Sequence, residues 1–132
     1  MKKIENIEEA IRLFEENSIK QAQTLNTGNF KVGNRCFDNK IKCLSYLYKK
    51  GKLEMLEKYL LHENVGVRES AAYAYLFVCP QKGESVLSEI TNGDYGIHSL
   101  NAEMILREWK SGNLKFLFKE KGRSRTITGT GS

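Results

Sequence analysis

Two histidines and three cysteines carry all the thiol and imidazole chemistry open to this 132-residue chain. Cys36 and Cys43 are seven residues apart, which on one helix is about 10 Å of rise and too far for a disulfide. No CxxC or other metal-ligand spacing joins them to Cys79, so neither a disulfide framework nor a metal centre is expected. Reduced thiols of this kind suit a cytoplasmic protein. A catalytic thiol needs an imidazole partner, and His62 and His98 are the two on offer. The carboxylates fall mainly in the groups Glu8-Glu9, Glu15-Glu16 and Glu54-Glu57, interleaved with lysines. That pattern describes solvated helix faces, whereas acid–base catalysis requires two groups converging in a pocket. Glycine-rich phosphate loops, HExxH and nucleophile elbows are all missing from the sequence, so the chain is read as not an enzyme and as needing no cofactor.

The charge balance narrows the partners. Residues 1–109 hold fifteen basic and fifteen acidic side chains, while residues 110–132 hold six basic residues against Glu120 alone. The whole excess of +5 therefore sits in the C-terminal segment. A neutral body argues against a phosphate-binding groove through the fold, and a basic tail leaves nucleic acid as the alternative partner. With 40% apolar and 28% charged residues, the chain has the composition of one folded domain. No apolar run approaches the length of a membrane span. Met1, Lys2 and Lys3 lead into Glu5, Glu8 and Glu9 rather than an apolar signal core, which again predicts a cytoplasmic location.

Periodicity predicts helices throughout. Ile7, Ile11, Phe14, Ala22 and Leu25 mark a first helix over about 6–25, broken by Thr27, Gly28 and Asn29. Phe37, Ile41, Leu44 and Tyr48 follow at i, i+4, i+7 and i+11, with Gly51 as a left-handed terminator. A third helix over 52–61 turns Leu53, Leu56 and Leu60 inward, and Asn64 is the natural cap of the next segment, 65–77. Its Ala71, Ala72 and Ala74 permit close helix approach. Pro80 opens a fifth helix and Asn92-Gly93-Asp94 ends it. A sixth runs over 97–110 with Leu100, Met104, Ile105 and Trp109 as its apolar positions. Helical residues 1–112 are thus followed by a basic segment, 113–132, expected to be partly disordered. Within that segment Leu114, Phe116, Leu117 and Phe118 form a short apolar run.

A repeat organises these helices. A shift of 30 residues lays Asn64-Val65-Gly66-Val67-Arg68 on Asp94-Tyr95-Gly96-Ile97-His98. Leu56 then meets Val86, Leu60 meets Ile90, Ala72 meets Ala102, Tyr75 meets Ile105 and Leu76 meets Leu106. Helix pairs of this sort bury their apolar faces only by stacking on one another.

The stretch from Leu60 through Asn64-Val65-Gly66-Val67-Arg68 to Ala71-Ala72 resembles the turn and second helix of a HEAT-like repeat. The longer span from Asn34-Arg35-Cys36-Phe37-Asp38 to Trp109-Lys110-Ser111-Gly112 is similar to an uncharacterised family of small bacterial HEAT-like proteins. The second unit departs from the pattern, with His98 for the arginine and Asn101 for an alanine. The resemblance implies an all-α fold, a short right-handed stack of antiparallel helix pairs (a HEAT-like α-solenoid) of about six helices. It also implies a protein-binding module, in one form an immunity protein that blocks a cognate bacterial toxin. Arg68, Glu69, Tyr73, His98, Glu103 and Arg107 are the candidate partner contacts, because the repeat offset sets them on comparable strips expected to face outward. Within that set Arg68 has a structural alternative, bonding turn carbonyls or nearby carboxylates.

Overall fold

A computed structural model describes residues 3–114, and among these residues every regular element is a helix. The rest of the expected tail, 115–132, lies outside the described residues. Helix α1 spans Ile7–Thr27 and begins where the Asn6 side chain accepts the Glu9 N–H at 2.8 Å. It stops at Gly28, whose φ of +75° is a left-handed cap. Asn29 then caps α2, Phe30–Lys49. So short a connection makes α1 and α2 an antiparallel hairpin, and the two pack closely together. At its mouth a Cβ on Gly33 would lie 2.6 Å from Thr24 Oγ1, so the approach depends on glycine there.

The end of α2 is a Schellman turn. The Gly51 N–H bonds the Tyr48 carbonyl at 3.0 Å and the Lys52 N–H bonds Leu47 at 2.8 Å, with Gly51 at φ +68°. The next segment, Leu53–Leu61, is a 3-10 helix rather than the expected α-helix. Its buried residues explain the difference: Leu53, Leu56 and Tyr59 recur every third residue, and a threefold helix puts such residues on one line. Leu60 is buried too, as expected.

Helix α3, Val65–Tyr75, is the centre of the fold, touching α1, the 3-10 helix, α4 and α5. Asn64 caps it by accepting from Gly66 at 2.8 Å and Val67 at 3.2 Å. Small residues let it be buried on nearly every side: Gly66, Ser70, Ala71, Ala72 and Ala74 are all inaccessible or almost so. Helix α4, Pro80–Asn92, takes Pro80 in its first turn and rides directly on the backbone of α3. A Cβ on Gly83 would come within 2.8 Å of both the Ala72 carbonyl oxygen and the Leu76 nitrogen. Helix α5, Ile97–Lys110, closes against α4 and α3. Trp109 locks it there, donating to Glu84 at 2.7 Å and meeting Phe77 edge-on at 5.4 Å between ring centres.

The repeat holds in the core and diverges at the turns. Leu60 and Ile90, Ala72 and Ala102, and Leu76 and Leu106 are all buried. Asn64 caps α3, but α5 starts later, after Gly96 at φ +59°, with no side-chain cap. In the apolar series of α2, Tyr48 is exposed, and its neighbour Leu47 fills the core. No helix among the described residues is long and apolar enough to cross a membrane.

Candidate functional site

The polar residues that the fold draws together are set mainly by α1, α2 and α3. Lys40 lies one turn beyond Cys36 on α2 and one turn before Cys43 and Leu44, all three buried. Its side chain is therefore carried inward between the helices. The ammonium donates to Gln21 Oε1 on α1 at 2.6 Å and to Ser70 Oγ on α3 at 2.9 Å, and stands 5.5 Å from the Phe37 ring centre. Burial lowers the Lys40 pKa to about 8, with the Glu69 carboxylate pulling it part of the way back. Beside it, burial pushes the Cys43 thiol up to about 12, so that thiol is not a nucleophile near neutrality. Cys36 is also buried, and neither it nor Cys43 belongs to a group of three or more metal-ligating side chains among the described residues.

The six residues expected to share an outward strip divide into three places. Glu69 and His98 turn inward and meet, Oε1 to Nδ1, at 2.7 Å, with side-chain exposures of only 15% and 13%. The expectation fails for them because α3 and α5 lie side by side, so the flank of one helix becomes the contact of the next. Tyr73, on the same flank of α3, is half-buried and packs edge-on against Phe77 at 5.6 Å. Arg68 reaches back over its own turn, donating to the carbonyls of His62 at 2.7 Å and Glu63 at 3.3 Å. Its guanidinium also covers Tyr95 at 5.3 Å. Only Glu103 and Arg107, paired at 3.3 Å on α5, stand fully in solvent.

The two histidines differ in what the fold uses. His62 spends both ring nitrogens: Nδ1 accepts the Asn64 N–H at 2.9 Å, and Nε2 lies 2.7 Å from Glu15, which also accepts the Tyr59 hydroxyl at 3.2 Å. The accepting Nδ1 leaves the ring proton on Nε2, so this imidazole is an internal strut between α1 and the turn before α3. His98 spends only Nδ1, and Nε2 has no hydrogen-bond partner among the described residues. The ring lines a groove of about 300 Å³ with Gln23, Asn26, Asn64, Tyr95 and Ile97. A second groove of about 340 Å³ lies between the 3-10 helix and α4, lined by Leu60, Leu61, Val86 and the Glu57–Lys82 ion pair.

From the first groove an apolar stripe continues along α5. Ile97, Leu100 and Met104, at i, i+3 and i+7, are 46%, 66% and 52% exposed. Their spacing places them on one side of the helix, flanked by Glu103 and Arg107. Sequence reasoning named Leu100 and Met104 as apolar positions of this helix without separating them from its buried ones. It also missed Lys40, although its place in the Cys36, Cys43, Leu47 series was the available signal. Compared with family models, curated proteins and solved structures, the chain finds no match.

Proposed function

We propose that this chain is a non-enzymatic protein-binding module, a short HEAT-like stack of helix pairs whose contact surface is the outer side of α5. The observation that carries this reading is the exposed apolar stripe of Ile97, Leu100 and Met104. Three large apolar side chains in solvent on one helix cost solubility, and contiguous apolar surface of that kind marks interaction sites. The surroundings fit the usual anatomy of an interface, an apolar centre with a charged rim. Glu103 and Arg107 supply that rim, and the groove beside Ile97 offers the unused His98 Nε2 and the amides of Gln23 and Asn26 as polar partners. Arg68, Glu69 and Tyr73 contribute from behind, by fixing Tyr95, His98 and the α3–α5 contact. A toxin whose active site is covered by this face is the partner that the HEAT-like resemblance implies.

The test is affinity capture from the source cell, with nuclease, comparing the native chain with Leu100→Asp. The expected result is one stoichiometric protein partner that Leu100→Asp loses while its helical content is unchanged. Toxicity of that partner when expressed alone would identify the chain as an immunity protein. Retention of the partner by Leu100→Asp would move the interface off α5. Loss of all co-purifying material after nuclease would replace the reading with nucleic-acid binding through the basic tail.

A further inference from the structure

The neutral charge of residues 1–109 conceals an uneven distribution. Between Phe30 and Lys52 there are seven basic side chains and a single acidic one, Asp38, a net of +6, so the rest of residues 1–109 carries −6. That segment is α2 with the Schellman turn that ends it. Lys40 turns inward to Gln21 and Ser70. The other six, Lys31, Arg35, Lys42, Lys49, Lys50 and Lys52, are exposed.

Helical geometry gathers four of them into a row. Lys31, Arg35, Lys42 and Lys49 fall at i, i+4, i+11 and i+18, within about 40° of one another around the axis and over about 27 Å of its length. The opposite side of α2 holds the buried Gly33, Cys36, Cys43, Leu44 and Leu47, which directs the row outward. Lys50 and Lys52 extend it at the turn. This is not a face on which opposite charges alternate. Elsewhere Arg12 bonds Glu16, Arg107 bonds Glu103 and Lys82 pairs with Glu57. Among the described residues none of the six exposed bases of this segment has an ion-pair partner. Lys31 and Arg35, like charges one turn apart, repel each other, a cost that a bound polyanion removes.

The chemistry of the row selects the partner. Protein interfaces have apolar centres and are depleted in lysine, whereas this row is mostly lysine and has no aliphatic side chain among its exposed positions. Its one aromatic ring, Tyr46, is half-buried with the Lys50 ammonium 5.4 Å from the ring centre. Phe30, exposed at the start of α2, stands about 100° from Lys31 around the axis. The row therefore offers no ring on which bases could stack, and single-strand binding relies on such stacking. Bases aligned along one helix face are the footprint of phosphate contacts, which position a protein without reading sequence.

We infer that the outer face of α2 is a second binding surface, which takes the phosphate backbone of duplex nucleic acid without reading its sequence. Lys31, Arg35, Lys42 and Lys49 supply the contacts, and Asp38, exposed on the same side of the helix, weakens them. The surface is separate from the apolar stripe on α5 and from the basic tail, and it does not rest on the protein-binding reading.

The test is binding of a duplex DNA of about 20 base pairs to the purified full chain, read by fluorescence anisotropy between about 50 and 200 mM salt. The native chain is compared with Lys42→Gln/Lys49→Gln, with Asp38→Asn, and with the tail variant Lys119→Gln/Lys121→Gln. Any contribution of the tail is common to the native chain and the α2 variants, and cancels between them. The expected slope of log affinity against log salt is shallower by about 1.8 for Lys42→Gln/Lys49→Gln. Over that range the native chain then loses about twelvefold more affinity than the variant. Asp38→Asn binds more tightly than the native chain, a gain that unfolding could not produce. A native slope in Lys42→Gln/Lys49→Gln, with the loss confined to the tail variant, overturns the α2 surface in favour of the tail. A preference of more than about tenfold between two duplexes of unrelated sequence overturns the backbone reading. Tighter binding to polyglutamate or to phosphatidylserine vesicles than to the duplex, lost in the same variant, overturns it in favour of an acidic protein or a membrane surface. No binding at the lowest salt overturns it outright.

Discussion

Lys40 should make this fold more stable as the solution becomes more alkaline, and Lys40→Met should abolish that gain. The ammonium is held, part-buried, between α1, α2 and α3, and its pKa falls from 10.5 to about 8. Between these two values the unfolded chain holds the proton and the folded chain does not, so stability rises with pH across that window. Below pH 8 both states hold the proton, and the cost of the buried charge is present in full. The slope is about 1.4 kcal/mol per pH unit, which over the shift amounts to about 3 kcal/mol. The assay is urea unfolding of the native chain and Lys40→Met at several pH values from 6 to 10, read as the difference between them. The difference is needed because Tyr59, raised to about 12, and Tyr75, also raised, destabilise both chains as they approach ionisation in the unfolded state. That common trend cancels. The native chain should gain on the variant by about 2 to 3 kcal/mol as pH passes from 8 towards 10, with a flat difference below 7. A flat difference throughout would mean that water reaches the ammonium and that the three helices do not seal around it. A difference of opposite sign would mean that the Glu69 carboxylate outweighs burial.

Two further substitutions test the packing. Gly83→Ala should destabilise the fold by about 2 kcal/mol in urea unfolding, because the new methyl would press on the Ala72 carbonyl and the Leu76 nitrogen, both backbone atoms that yield only if α3 and α4 separate. Ser18→Ala should go the other way, stabilising by about 1 kcal/mol, since the Ser18 hydroxyl is buried with no hydrogen-bond partner among the described residues. An unchanged or lower midpoint for Ser18→Ala would show that the hydroxyl is satisfied by a bound water.

What could be read from the sequence was decided by local chemistry. Gly51, Asn64, Pro80 and Gly112 end or begin helices for reasons contained within a few residues, and each stands where its type predicts. The 30-residue repeat located the buried pairs Leu60/Ile90, Ala72/Ala102 and Leu76/Leu106, because residues at equivalent places in successive units meet equivalent neighbours. Helical phase, by contrast, fixes a side chain only relative to its own axis. Whether a polar flank meets water or another helix depends on the angle between helices, which no short spacing encodes. Glu69 and His98 were therefore set on an outward strip and are instead joined across the α3–α5 contact. Lys40 hides for the same reason: a lysine on a helix is ordinarily solvated, and only the convergence of Gln21, Ser70 and Glu69 makes this one interior.

The same physics accounts for where the candidate site lies. In a row of stacked helix pairs, the flank that one unit presents is what the next unit covers, so side chains there are consumed by the fold. Arg68 and His98 occupy equivalent positions, and both are engaged: one holds its own turn, the other holds the preceding helix through Glu69. Their equivalence is one of position and not of role, and it transfers no binding function from one to the other. Apolar surface stays exposed where no further described helix packs. Helix α5 is the last described helix, and it alone carries Ile97, Leu100 and Met104 in solvent at helical spacing. The exposed apolar face thus lies on the last described helix, and the binding role proposed for it rests on that exposure.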